Sequence, residues 1–146
     1  MKLSPQLSSN LSLEEFLKLP EKYVWKYCHL AIVYQKPQSK AEQSTITSFL
    51  VTNINKISQP QKLAYAFPEL RYTFSGRSLV PDIAVFEWSR IPLLPNGRIA
   101  NQFEISPDLT IEILSPKQSP NRVIRNIMFS IENGTKLGLF LDSEDE

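Results

Sequence analysis

Two short apolar strings constrain this chain more than any other feature: Leu79–Trp88 (LVPDIAVFEW) and Leu109–Leu114 (LTIEIL). Strands this uniformly apolar are usually buried on both faces, in a sheet covered by helices. Each string is interrupted by one carboxylate, Asp82 in the first and Glu112 in the second. A carboxylate in such a strand must be hydrogen-bonded, neutralised or bound to a cation, or it costs several kcal/mol. Two of them on strands able to pair suggest a shared site of oxygen ligands, which Mg²⁺ and Mn²⁺ favour. The residues alone leave other readings open. Asp82 follows Pro81 and could begin its strand as a turn cap, and Glu112 could face solvent from an edge strand. Asp108 and Glu104, just before the second string, read as loop charges.

The rest of the chain supplies a frame for these strands. At 146 residues it has room for one domain, expected over residues 11–142, with a loose polar start at 1–10 and an acidic tail at 143–146. Ser12 with Glu15 three residues on is a capping-box pattern, opening a short helix from Leu13 to Leu19 that Pro20 stops. Tyr27–Gln35 reads as one strand. From Gln43, residues Ile46, Phe49, Leu50, Ile54 and Ile57 recur at helical spacing. Lys62–Ala66 and Arg71–Phe74 read as strands, with turns at Ser75-Gly76 and at Pro95-Asn96-Gly97. Asn121–Glu132 is an amphipathic helix with Val123, Ile124, Ile127, Met128 and Ile131 on its apolar face, and Gly134 stands at the C-cap place. Leu137–Leu141 reads as a short buried strand. The order α-β-α-β-β-β-α-β predicts an α/β fold, a mixed central sheet flanked by helices.

Several chemistries are excluded. One cysteine (Cys28) and one histidine (His29) cannot form an internal disulfide or a Cys/His zinc site. His29 reads as an incidental strand residue. There is no GxxxxGK[ST] phosphate loop, no GxGxxG and no GxSxG. No apolar run approaches the roughly 20 residues of a membrane helix, and the start lacks a secretory pattern. A reducing, cytoplasmic compartment is expected, with no membrane association. Four of the 15 acidic residues fall in the last five positions, so the rest of the chain, with 16 basic and 11 acidic residues, carries +5. That permits nucleic-acid binding without arguing for it. Arg71, Arg77, Arg90 and Arg98 cluster in sequence around Asp82, either as solvated charge or as the lining of a groove that meets phosphates. Trp25, Trp88 and the five tyrosines read as core rather than as base-stacking platforms.

Pro81-Asp82 followed about thirty residues later by Glu112 resembles the PD-(D/E)XK nuclease superfamily. The strings LSLEEFLKLP, AFPELRYTFSGRSLVPDIAVFEWSRIP, PDLTIEILSPKQS and NGTKLG resemble, more closely, the Uma-two family of restriction-endonuclease-like proteins. The likeness runs from about Leu11 to Asp142. It implies a restriction-endonuclease-like core and a divalent-metal-dependent endonuclease that hydrolyses DNA phosphodiesters. Asp82 and Glu112 would hold Mg²⁺ or Mn²⁺, with the backbone carbonyl of Ile113 as a third ligand. Arg122, Arg125 or Asn126 would contact the phosphate or orient water. Superfamily members often dimerise to cut both strands, so the resemblance also raises a homodimer, although no residue pattern here marks a dimer surface.

The chain departs from the family at four places. Leu114 stands at the superfamily's Lys position, and Asn126 stands where this family carries its Lys instead. Lys26 or Tyr27 falls where a Glu is usual. Gln43 takes the place of a His common before the second helix. Relatives also continue beyond the strand at Leu137–Leu141, which would leave a sheet edge exposed here. These departures support the alternative of a catalytically silent member that binds nucleic acid or protein, or of a truncated remnant.

Overall fold

A computed structural model describes residues 6–8, 12–18, 25–27, 32–35, 39–116 and 118–143. In chain order the elements are β1 (Gln6–Ser8), α1 (Leu13–Leu17), β2 (Trp25–Tyr27), β3 (Ile32–Gln35), α2 (Ala41–Ser58), β4 (Ala64–Pro68), β5 (Tyr72–Phe74), β6 (Arg77–Leu79), β7 (Ile83–Glu87), β8 (Leu109–Leu114), α3 (Pro120–Glu132) and β9 (Leu137–Asp142). A short 3-10 turn at Trp88–Arg90 follows β7. The sheet that carries both carboxylate strings is four-stranded and mixed, in the order β4-β7-β8-β9, with β8 and β9 parallel and the other pairs antiparallel. A second sheet, in the order β1-β3-β2-β6-β5, is antiparallel throughout.

Local chemistry explains the element ends. Ser12 and Glu15 form the expected reciprocal capping box, with Glu15 Oε2 accepting from the Ser12 amide at 2.8 Å. The β5–β6 hairpin turns on Ser75 and Gly76, both at positive φ (49° and 76°), the pairing that matches the twist of two antiparallel strands. Pro120 occupies the first turn of α3, where its missing N–H costs nothing. Asn55 of α2 donates to the Ala66 carbonyl (3.0 Å) and accepts from the Ala66 amide (2.7 Å). One helix side chain thus replaces the strand partner that β4 lacks on its outer edge.

Five expectations need correction. The stretch read as one strand from Leu79 to Trp88 is two, because Val80-Pro81-Asp82 passes the chain from one sheet to the other; Pro81 cannot donate to a ladder. The stretch from Tyr27 to Gln35 holds two antiparallel strands, paired with Trp25 opposite Gln35 and Tyr27 opposite Val33. Within the polar start, Gln6–Ser8 pairs with β3. The strand expected at Leu137–Leu141, β9, is an edge rather than a buried strand, with Leu137, Leu139 and Leu141 exposed. The buried stripe of α3 is Val123, Asn126, Ile127 and Ser130, while Ile124, Met128 and Ile131 are exposed. The helix is rotated so that two polar residues face inward. Cys28 and His29 lie outside the described residues.

Alternate residues of β7 bury on opposite faces, as strand geometry requires. Ile83 and Val85 join Ala66 and Ile111 under Leu50, Val51 and Ile54 of α2. Phe49 and Ile57 of α2 point to solvent instead. Ala84 and Phe86 join Tyr72, Leu79, Ile91 and Phe103 on the other face. Phe103 meets Phe86 and Phe67 edge-on, at ring-centroid distances of 4.9 and 5.3 Å.

Candidate functional site

Strand register brings the two carboxylates together. In the β7–β8 pair, Ile83 stands opposite Ile111. Asp82 immediately precedes Ile83 and Glu112 immediately follows Ile111, so both carboxylates lie at the same end of this ladder. Asp82 is 1% exposed and Glu112 is 3% exposed. Asp82 lies in the bend between Pro81 and the start of β7, and Glu112 sits inside a central strand with β7 on one side and β9 on the other. Neither faces solvent. The edge-strand reading of Glu112 is set aside by that position.

The next residue of β8 closes the cluster. The Ile113 amide donates to Asp82 Oδ2 at 2.7 Å. Gln43, buried in the first turn of α2, donates its side-chain amide to Asp82 Oδ1 (3.2 Å) and to the Ile113 carbonyl (2.9 Å). One amide nitrogen thus bridges a carboxylate and a backbone carbonyl that both lie beside Glu112. Gln43 falls on the same helical face as Ile46, Leu50 and Ile54, so a polar residue at that spacing was already a sequence signal for an inward-facing group.

On the other side of Glu112, Tyr72 is buried and its hydroxyl lies 3.1 Å from Ser130 Oγ of α3. Burial pushes the Tyr72 phenol well above its usual range, Ser130 opposes that, and the nearby Glu112 charge adds to it. Asn126 is buried one turn before Ser130, and Arg122 is half-buried one turn earlier still, so all three share one stripe. Arg125 is exposed and stands off that stripe. The sequence carried no signal for Tyr72 or Ser130, because a strand tyrosine and a helix serine are equally at home in ordinary packing.

Three of the four arginines around Asp82 have partners of their own. Arg77 stacks over Phe129 with its guanidinium carbon 3.8 Å from the ring centroid, and Arg71 lies over Phe16 at 5.3 Å. Arg90 reaches Asp108 (2.7 Å) and the Ser106 carbonyl (2.9 Å). Asp108 lies in the loop just before β8, as read, and is buried there as an ion-pair partner at the end of the sheet remote from Asp82. Glu104 is exposed, as a loop charge should be.

Among the described residues there is no cluster of three or more His, Cys, Asp or Glu able to hold a metal ion. The donor set here is of another kind: two carboxylates and a main-chain carbonyl, all hard oxygens. Mg²⁺ sites commonly use one or two carboxylates, with water and substrate phosphate completing the shell. The residues present therefore fit a Mg²⁺- or Mn²⁺-type site. Among the described residues, no helix is long and apolar enough to cross a membrane.

A mixed sheet flanked by helices, with a buried Asp and Glu at one end of two adjacent strands, defines a nuclease-like α/β protein. The chain belongs to the Uma2 family, described as "Putative restriction endonuclease", whose model matches residues 13–146. It is similar to a solved structure from Anabaena variabilis ATCC 29413, titled a "putative nuclease belonging to DUF820". The two are 48% identical with a TM-score of 0.89, over 92% of this chain and 75% of that one. No curated protein matches the chain.

Proposed function

We propose that the chain is a divalent-metal-dependent endonuclease acting on DNA phosphodiesters. The observation that carries the reading is the burial of Asp82 and Glu112 at the same end of the β7–β8 ladder, with the Ile113 amide hydrogen-bonded to Asp82. Family membership supports it. Asp82, Glu112 and the Ile113 carbonyl would hold Mg²⁺ or Mn²⁺. Such a cation, when bound, lowers the pKa of a water and offsets charge on the scissile phosphate. The Ile113 amide fixes the rotamer of Asp82, so its second oxygen has a set direction. Water adds to phosphorus, the ester P–O bond breaks, and the leaving oxygen takes a proton. Arg122, half-buried in the first turn of α3, would contact the phosphate. Asn126 can orient a water but cannot deprotonate one, and an arginine does not act as a base either. The half-buried Leu114 contributes no cationic group after Ile113.

That last observation favours a second reading, a silent member that binds nucleic acid without cutting it. Supercoiled plasmid separates the two. The nuclease reading predicts nicking with Mn²⁺ or Mg²⁺, none with chelator, and none by Asp82→Asn or Glu112→Gln. A folded protein that retards DNA in a gel but never nicks it would establish the second reading and overturn the first.

A further inference from the structure

The Gln43 side chain occupies an unusual position. Its amide nitrogen faces two oxygens, Asp82 Oδ1 at 3.2 Å and the Ile113 carbonyl at 2.9 Å. Both of its N–H groups are thereby used, which matches the donor capacity of an amide. The alternative orientation would turn Oε1 toward two acceptors and is unfavourable while nothing positive lies between them. With a cation present the preference reverses. An N–H₂ group cannot face a cation, whereas an amide oxygen is a hard neutral ligand of the type such ions accept. The last torsion of glutamine is broad and roughly two-fold, so exchanging N and O requires little displacement of the chain.

We propose that Gln43 is a switchable, neutral member of the Asp82–Glu112 site: its N–H₂ bridges the oxygens when no cation is bound, and its Oε1 turns inward to meet one. The inference rests on the metal-site reading above and adds a residue to it. It explains why a polar side chain is buried on the apolar face of α2. It also explains how Asp82 and the Ile113 carbonyl stay ordered without a cation.

The test measures Mn²⁺ binding by calorimetry on the intact chain, with thermal melts in chelator alongside. Gln43→Glu presents oxygen in either orientation. It is expected to bind Mn²⁺ about tenfold more tightly than the parent and to melt lower in chelator. Gln43→Met removes both donor and acceptor at similar volume, and is expected to bind about tenfold more weakly. Nitrogen-15 spectra of the parent protein give a readout free of folding effects: the Gln43 side-chain N–H₂ signals should shift on adding Mg²⁺. Mn²⁺ binding that is lost in Asp82→Asn but unchanged in both Gln43 variants, with static Gln43 signals, overturns this inference alone. Tighter binding by Gln43→Met would make the amide a mere obstruction and also overturns it. No Mn²⁺ binding by the folded parent removes the metal-site reading and this inference together.

Discussion

Asp108 offers the sharpest stability prediction, because three groups converge on one buried carboxylate. Oδ2 accepts from the Glu87 amide (2.8 Å) and from Arg90 Nη1 (2.7 Å), while Lys136 Nζ lies 3.4 Å from Oδ1. The Asp108 carbonyl also accepts from the Lys136 and Leu137 amides, so the residue ties β9 to the sheet. Asp108→Asn keeps the shape but not the charge. If its oxygen keeps Glu87 and Arg90, its N–H₂ faces the Lys136 ammonium. Converting a charged hydrogen bond to a neutral one loses about 1–1.5 kcal/mol, and the new repulsion adds to that, so about 2 kcal/mol is expected. At roughly 2–4 °C per kcal/mol for a domain of this size, the melting point should fall by roughly 4–8 °C near neutral pH.

The pH dependence has a definite sign. Burial pushes the Asp108 carboxyl up, but the Glu87 amide, Arg90 and Lys136 outweigh it and hold the carboxyl below its ordinary 3.8. Its contribution is therefore complete above 3.8 and is lost as pH falls through the lower folded value. The gap between parent and Asp108→Asn should be full near neutrality and should narrow below that ordinary value. Urea unfolding followed by far-UV circular dichroism across this range measures it. A variant as stable as the parent at neutral pH, or a gap that stays constant into acid, would refute the electrostatic account of this junction.

Two further predictions concern packing around the site. A Cβ on Gly138 would come within 2.2 Å of Ile127 Cγ2 and 3.3 Å of Ile131 Cδ1, so Gly138→Ala must push α3 off β9 and should cost about 1–3 kcal/mol in urea unfolding. Tyr72→Phe removes the hydroxyl bonded to Ser130 and should cost about 1 kcal/mol by the same assay. Because burial raises the Tyr72 phenol above its ordinary 10.0, the folded chain loses stability as pH rises past that value, and an alkaline absorbance titration should show a tyrosine that ionises only on unfolding and is missing from Tyr72→Phe.

Much of this architecture was legible in the sequence where one local rule acted alone. The capping box at Ser12, the Ser75-Gly76 turn and the boundaries of β8 follow from residue type and spacing, and the structure bears them out. The placement of Asp82 and Glu112 at one end of a ladder was readable only as two strings able to pair; the register itself is set by tertiary packing. The rotation of α3 was not legible. Its apolar periodicity pointed Ile124, Met128 and Ile131 inward, yet Asn126 and Ser130 take the buried stripe, because Ser130 meets the Tyr72 hydroxyl and Ile127 must fit over Gly138. The switch between sheets at Pro81 was hidden for a similar reason. β-propensity is high on both sides of Pro81-Asp82, and only those two residues mark the crossing.

Anomalous diffraction from crystals grown with Mn²⁺ tests the central claim most directly. The account predicts a peak in contact with carboxylate oxygens of both Asp82 and Glu112, at about 2.0–2.2 Å, and no such peak in Asp82→Asn crystals grown alike. Manganese bound elsewhere, or a Gln43 amide that still bridges Asp82 and the Ile113 carbonyl at saturating Mn²⁺, would contradict it.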